Sequence, residues 1–364
     1  MHISNLLSPY KGTVVSVSPD VVLDTINSIF IMYFVLLPLC QKEAALKYLS
    51  FIFILAGAYY IYWANSAYFG QEWYRFVNNR LVGPAGSPYN DANVLSTLIV
   101  MCVPFMIFLF FKVEHKIVKI ILIFMVPMAW HAMILFSSRG ALLASVISLL
   151  AVAYVVRSAK VNMTIGIAFF LFIIYQGAVL LDRTTETIEL AQTSNEEPLN
   201  PRLISWEAGF KLIPSYPLFG AGVQMYEAAA ANHFPGKTPH VAHNTFLNFS
   251  VNTGLPAGLM FLCLIGFAWG RLKAARGLEI SFDDWDYYIL VSSSVSILGY
   301  FVCSMFLDLI IFEPFYIVLV MNLISNYRLN EKFNESEAVR STVTATGSKF
   351  PSSKLASRRR LPKE

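Results

Sequence analysis

Residues 117–156 read IVKIILIFMVPMAWHAMILFSSRGALLASVISLLAVAYVV, and the only Lys or Arg among them are Lys119 and Arg139. One helix crossing a bilayer takes roughly 20 apolar residues, so this stretch is long enough for two. Periodicity cannot divide it, because it is apolar on every face. Ser137-Ser138-Arg139-Gly140 does divide it. The reading is a helical hairpin, 117–136 and 141–156, with Arg139 at its tip.

The rest of the chain agrees with that environment. Of 364 residues, 56% are hydrophobic and 14% charged, where a soluble domain carries roughly 25% charge. That scarcity excludes an ordinary soluble enzyme, whose surface needs more charge. The aromatic content of 15% also argues against a disordered chain. Cys40, Cys102, Cys263 and Cys303 sit singly inside apolar runs with no CxxC spacing, so they read as small buried hydrophobes rather than thiolate metal ligands. A net charge of +4 gives no argument for nucleic acid. There is no repeat of fixed period, and no basic segment leading into an apolar core at the N-terminus that would read as a cleaved signal.

The fold class is therefore an all-α polytopic membrane protein. Nine spans are expected, at about 21–39, 48–65, 93–111, 117–136, 141–156, 162–181, 245–270, 287–307 and 311–327. The connections near 40–47, 112–119, 157–160 and 271–286, together with the tail from 328, hold 19 of the 27 Lys and Arg. The positive-inside rule makes this face cytoplasmic. The N-terminus is then outside and the C-terminus inside. Four regions result: an N-terminal bundle over 1–181, an external loop over 182–244, C-terminal spans over 245–327, and a disordered basic tail over 328–364, held against anionic lipid.

Long ordered loops are uncommon and often functional. The loop 182–244 has a helix start at Asn200-Pro201, cap followed by first-turn proline. Leu203, Trp206, Phe210 and Ile213 then recur at helical spacing, and Pro214 ends the run. Such a helix lies in the membrane interface or packs on the bundle. A second external loop, Gly83 to Asn93, is turn-rich and follows Arg80.

Few residues here carry chemistry. Arg139 either snorkels to headgroups or clamps an anion with a planar guanidinium that stays charged in low dielectric. Arg202 is a surface cation or adds to the anion preference of a helix start. Lys237 and His240 follow in the same loop. His243, ahead of Asn244, is an interfacial residue or a general base titrating near neutral pH. A metal site built from His233, His240 and His243 lacks the usual spacing. Gly220-Ala221-Gly222 is a tight turn rather than a dinucleotide loop. Asp308 and Glu313 are proton-relay carboxylates or interfacial residues beside a helix break.

Taken in order, these landmarks resemble the O-antigen ligase and polymerase superfamily, and within it the O-glycosylation ligases found beside exosortase systems. The similarity covers about 80–265. It rests on Gly83 to Ser87 with Asn90 to Asn93, on Ser138-Arg139-Gly140, on Arg202 with Trp206, Pro217, Gly220 and Gly222, and on His243-Asn244 with Gly254. Two spans precede the first external motif, fewer than is usual in that superfamily.

The resemblance implies a metal-independent, inverting membrane glycosyltransferase of the GT-C type in a Gram-negative-like inner membrane, without a cofactor. The donor would be a glycan on a polyprenyl pyrophosphate. The acceptor would be a glycan, lipid A core or a protein. By motif, Arg139 and Arg202 would hold the pyrophosphate and His243 would assist the acceptor hydroxyl. Arg80, Asn93, Trp206, Lys237, His240 and Asn244 would bind substrate. A secondary transporter or flippase of anionic or lipid-linked solutes is the rival reading. It predicts a pseudo-symmetric repeat and charges at mid-depth.

Overall fold

The computed structural model describes residues 1–13, 15, 17–167, 170, 174, 201–235, 241–278, 280 and 282–345. Among these, seven helices are long and apolar enough to cross a membrane. They are α2 (Pro19–Leu39), α3 (Glu43–Phe69), α4 (Ala92–Lys112), α5 (Lys116–Leu135), α6 (Arg139–Val156), α10 (Leu255–Arg276) and α11 (Trp285–Ser304), named in chain order with the shorter helices given below. The chain is an all-α polytopic membrane protein. The hairpin of residues 117–156 is present as α5 and α6, and α6 starts at Arg139.

Three expected spans differ. The candidate 162–181 lies largely outside the described residues. The candidate 245–270 is not one helix: it is α9 (Thr245–Asn252) and α10, broken at Thr253-Gly254. Gly254 takes φ +105°, and a Cβ there would fall 2.1 Å from the Leu218 carbonyl oxygen. Only glycine tolerates both conditions. Pro256, the second residue of α10, starts the next helix, a glycine stop followed by a proline start. The third, 311–327, lies within α12 (Glu313–Ala345), which is helical but not among the seven apolar spans. Residues 328–345 are therefore helical where the sequence predicts a disordered tail, and 346–364 lie outside the described residues.

The chain divides into two compact units. One comprises Met1–Ser28, Val156–Leu264 and Cys303–Ile311; the other comprises Ile29–Val155, Ile265–Val302 and Phe312–Glu364. In the larger unit α4 and α11 are buried over most of their surface, whereas α2, α3 and α5 each expose an apolar face. Phe30, Ile31 and Phe34, Ile52 and Leu55, and Ile120 and Phe124 are exposed, as lipid-facing side chains should be. Close packing uses small residues. A Cβ on Gly57 would sit 2.6 Å from Cys102 Sγ, and one on Gly299 would meet Val100 and Ser148. Cys102 donates to the Phe53 carbonyl, so it is the small packed residue its apolar setting predicts.

The start of α11 holds a cluster of charges. Asp284 caps the helix, accepting from the amides of Asp286 and Tyr287 at 2.8 and 3.1 Å. Asp286 has no exposed surface. Arg328 reaches it at 2.7 Å and Lys332 at 2.6 Å, both from α12. Arg328 also donates to the Gln41 carbonyl and pairs with Glu43, so it joins α12 to the start of α3. Lys112, at the end of α4, lies 4.1 Å from the centre of the Trp285 ring.

This cluster yields two expectations. Removing one partner of a buried ion pair costs about 3–5 kcal/mol, because the other charge stays buried. Arg328→Met therefore lowers the thermal midpoint of the purified protein clearly more than Lys332→Met, whose lysine is more exposed. Burial raises the Asp284 carboxyl, but the hydrogen bonds from Lys332 and the two amides outweigh it and hold it below its ordinary value. A carboxyl depressed in the folded state stabilises above its unfolded value, and that contribution disappears as pH falls through the folded value. Unfolding followed against pH should show a loss below about pH 4, smaller in Asp284→Asn.

Candidate functional site

In the smaller unit, α7 (Pro201–Leu212) starts at the expected proline and ends before a short 3₁₀ turn, Ile213–Ser215, that contains Pro214. Its buried side differs from the expected one. Ser205, Gly209 and Leu212 face inward, while Leu203 is exposed and Phe210 is 60% exposed. Gly209 decides this. With no side chain, it admits the Tyr226 hydroxyl and Leu247 to positions 2.5 and 3.1 Å from where a Cβ would be. Tyr226, on α8 (Tyr226–His233), donates to the Ser205 carbonyl. Burial, aided by the nearby Asp308 carboxylate and opposed by that hydrogen bond, pushes its phenol up to about 12.

His243 lies just before α9, half-buried, with φ +44°. That conformation is rare for a residue with a Cβ and needs fixing by its surroundings. The segment 305–309 supplies the fixing. Asp308 Oδ2 accepts from the His243 backbone amide at 3.1 Å, and Oδ1 accepts from Asn248 Nδ2 at 2.9 Å. Thr245 Oγ1 donates to the Leu307 carbonyl at 2.7 Å and accepts from the Leu309 amide at 3.0 Å. Asn244 caps α9 through the Leu247 amide, while its Nδ2 donates to the Met305 carbonyl. The carboxylate thus acts on the backbone of His243.

A polar row continues along α9. Asn244, Asn248 and Asn252 recur every four residues, so they share one helix face, and each is buried. Asn252 donates to Asn248. The far end of α9 is closed by the glycine turn. The amides of Ala221 and Gly222 donate to the carbonyls of Val251 and Asn252 at 2.7 and 3.1 Å. Gly220 and Gly222 both have positive φ, and a Cβ on Gly220 would fall 2.3 Å from the Asn252 carbonyl carbon. The tight turn expected from the sequence is thus a cap on this helix. The N-terminal helix α1 (His2–Leu7) also reaches it, through Ser4 Oγ donating to the Asn252 carbonyl.

Of the expected site residues in this unit, His243 and Asn244 stand together on the stitched segment. Trp206 packs on Phe306 with ring centres 6.0 Å apart, and Arg202 lies half-buried in the first turn of α7. Lys237 and His240 lie outside the described residues. Hydropathy and motif spacing pass over Asn248 and Asn252. Their four-residue spacing from Asn244 inside an apolar run is the signal that finds them. Asp308 is conspicuous as a carboxylate, but its partner sits 65 positions earlier, and nothing local points there.

The larger unit holds the other expected residues. Arg80 lies in a two-residue hairpin, β1 (Phe76–Val77) paired antiparallel with β2 (Arg80–Leu81), turned by Asn78 and Asn79, both with positive φ. Asn-rich two-residue turns suit this geometry. Arg80 donates to Asn93 Oδ1 at 2.9 Å and to the Phe136 carbonyl at 3.2 Å. The loop 83–91 folds back through Gly83 N to the Asn90 carbonyl at 3.0 Å, and Asp91 caps α4. Glu313 accepts from the Tyr89 hydroxyl at 3.2 Å. Burial, then the Glu313 charge, raises the Tyr89 phenol. Arg139 is exposed at the first position of α6, with no hydrogen bond or ion pair among the described residues.

Residues 123–262 match the family model for O-antigen ligase. The match spans 140 of the 364 residues and supports a place in the O-antigen ligase superfamily. The matched segment includes Arg139, Arg202, Trp206, His243 and Asn244; Arg80, Asn93 and Asp308 fall outside it. The match supports a multi-pass membrane enzyme of the glycan ligase or polymerase type that works on lipid-linked glycans. No curated protein matches the chain.

The stitching of α9 is open to test. Asp308→Asn puts an amide where two donors converge, so the His243 amide or Asn248 loses its acceptor. An orphaned buried donor costs about 1–3 kcal/mol. The variant should unfold at lower temperature than the parent, while Asp308→Glu retains part of the stability. Equal midpoints for parent and Asp308→Asn would show that the carboxylate carries no structural weight.

Proposed function

We propose that this protein moves a glycan from a polyprenyl-pyrophosphate carrier to an acceptor hydroxyl on the external face of a bacterial inner membrane. One observation carries the reading: all three candidate residues, Arg139, Arg202 and His243, fall within the sequence segment that matches the family. Nucleotide sugars are absent outside the cytoplasm, so a transferase there needs a lipid-borne donor. Nineteen of the 27 Lys and Arg lie in the connections and the C-terminal tail assigned to the opposite face, which supports this sidedness. Ser4 and Ser8, near the N-terminus, bond the carbonyls of Asn252 and Ala221, which supports placing residue 1 and the large loop on the same face.

In the proposed step the acceptor oxygen attacks the anomeric carbon from the side opposite the pyrophosphate, and configuration inverts. The carbon–oxygen bond to phosphate breaks, and its electron pair leaves with the lipid pyrophosphate. The acceptor proton passes to the His243 imidazole. Arg139 and Arg202 offset the negative charge that grows on the leaving group, a role fixed cations fill without a metal. Arg139 suits it by being exposed at a helix start, where backbone N–H groups add to the field. His243 suits the base role because its backbone is fixed from 305–309, so the ring is held rather than carried on a loose loop.

The test uses purified protein in nanodiscs with a polyprenyl-pyrophosphate glycan and candidate acceptors: a core oligosaccharide lipid, a protein, and the glycan itself. The acceptor that becomes labelled separates ligase from polymerase. His243→Ala should cut transfer by ~10²–10⁴, and Arg139→Ala or Arg202→Ala by ~10²–10³, with protein yield unchanged. Wild-type transfer by His243→Ala would remove the base assignment.

A further inference from the structure

We infer that Arg80 is a positioning residue: its guanidinium locks the corner at Phe136 and Ser137 that delivers Arg139 to the start of α6. The inference rests on the proposed role of Arg139 as a pyrophosphate ligand. Between α5 and α6 the chain turns in three residues, Phe136 to Ser138. Ser137 takes φ +54°, a conformation that residues with a Cβ seldom adopt. Its amide donates to the Ile134 carbonyl at 2.8 Å, and Ser138 is buried. The Phe136 carbonyl belongs to the last turn of α5, where carbonyls lack helical partners. A donor from outside the helix must satisfy it, and Arg80 Nε does so at 3.2 Å.

The same guanidinium is fixed at its other side. Its Nη2 donates to Asn93 Oδ1 at 2.9 Å. Asn93 lies in the first turn of α4, where Asp91 caps the helix through the amides of Asn93 and Val94. Arg80 itself is carried on a hairpin anchored by Leu81, which is fully buried. The Phe136 ring is held independently by stacking on Trp63 at 6.4 Å and 12°. Phe136 is thus gripped by its carbonyl and by its ring, three residues before Arg139. Two of the Arg80 donors face these internal acceptors, and the inference assigns the residue to the corner in place of the substrate contact that the resemblance implies. Lysine cannot replace it, having one charged atom where the fork needs two directed donors.

The experiment measures binding of undecaprenyl pyrophosphate to the full chain in nanodiscs, together with amide hydrogen exchange over 135–142. Arg139→Ala should weaken binding about tenfold, the effect of one charge-assisted hydrogen bond. Arg80→Gln should weaken it about as much, and the double variant no further than either single one. Arg80→Gln should also speed exchange at 136–142, which Arg139→Ala should leave unchanged. Asn93→Leu, which removes the Oδ1 acceptor of Arg80, should speed the same exchange as Arg80→Gln does. Multiplying losses in the double variant would overturn the inference, since Arg80 would then touch the ligand itself. Parental binding by Arg80→Gln alongside weakened binding by Arg139→Ala would overturn it too. If Arg139→Ala binds as the parent does, the pyrophosphate role of Arg139 fails instead. Unchanged exchange in Arg80→Gln then overturns the brace separately.

Discussion

A backbone amide or carbonyl removed from water must find a partner, and this requirement shapes the non-helical stretches of the chain. The clearest case is the Asp308 carboxylate. Its two oxygens take the His243 amide and the Asn248 side chain. Thr245 and Asn244 bond the neighbouring carbonyls of Leu307 and Met305. The start of α9 and the non-helical segment 305–309, far apart in sequence, thereby fasten each other. His243 keeps its left-handed backbone because of that fastening, and Asn244 and Asn248 are buried with hydrogen-bond partners on that segment.

The few charges fall into two kinds. At the start of α11, Asp284, Asp286, Arg328 and Lys332 satisfy one another and join helices distant in sequence. Their role is structural, as expected where opposite charges meet out of water. Arg139 differs: it is exposed, starts a helix, and is placed by a corner built for it. A cation supported so carefully, yet given no ion pair among the described residues, fits the anion-binding role proposed for it.

Much of the fold is legible in the residues themselves. The Arg-Gly interruption at residues 139–140 locates the hairpin of α5 and α6, because a charged residue is costly inside a span. Pro201 and Pro214 bracket α7 closely, since proline acts on its own backbone. The glycines at 220 and 222 mark their turn in the same local way. The break inside 245–270 has a local signal as well, Thr253-Gly254-Leu255-Pro256, but the strong hydropathy of the run hides it. The reason for that break is tertiary: the Leu218 carbonyl occupies the space a Cβ at Gly254 would need.

The sequence by itself determined the class of environment, most of the long apolar helices, and the order of Arg139, Arg202 and His243 along the chain. Hydropathy and the backbone habits of proline and glycine act within a few residues, so they can be read from neighbours. The tertiary structure decided which face of α7 is buried, that Asp308 holds the backbone of His243, and that Arg80 braces the corner before Arg139. Each of those depends on a hydrogen bond or a close approach between residues far apart in the chain. Residue spacing carries no record of such contacts, because they exist only once the helices have packed.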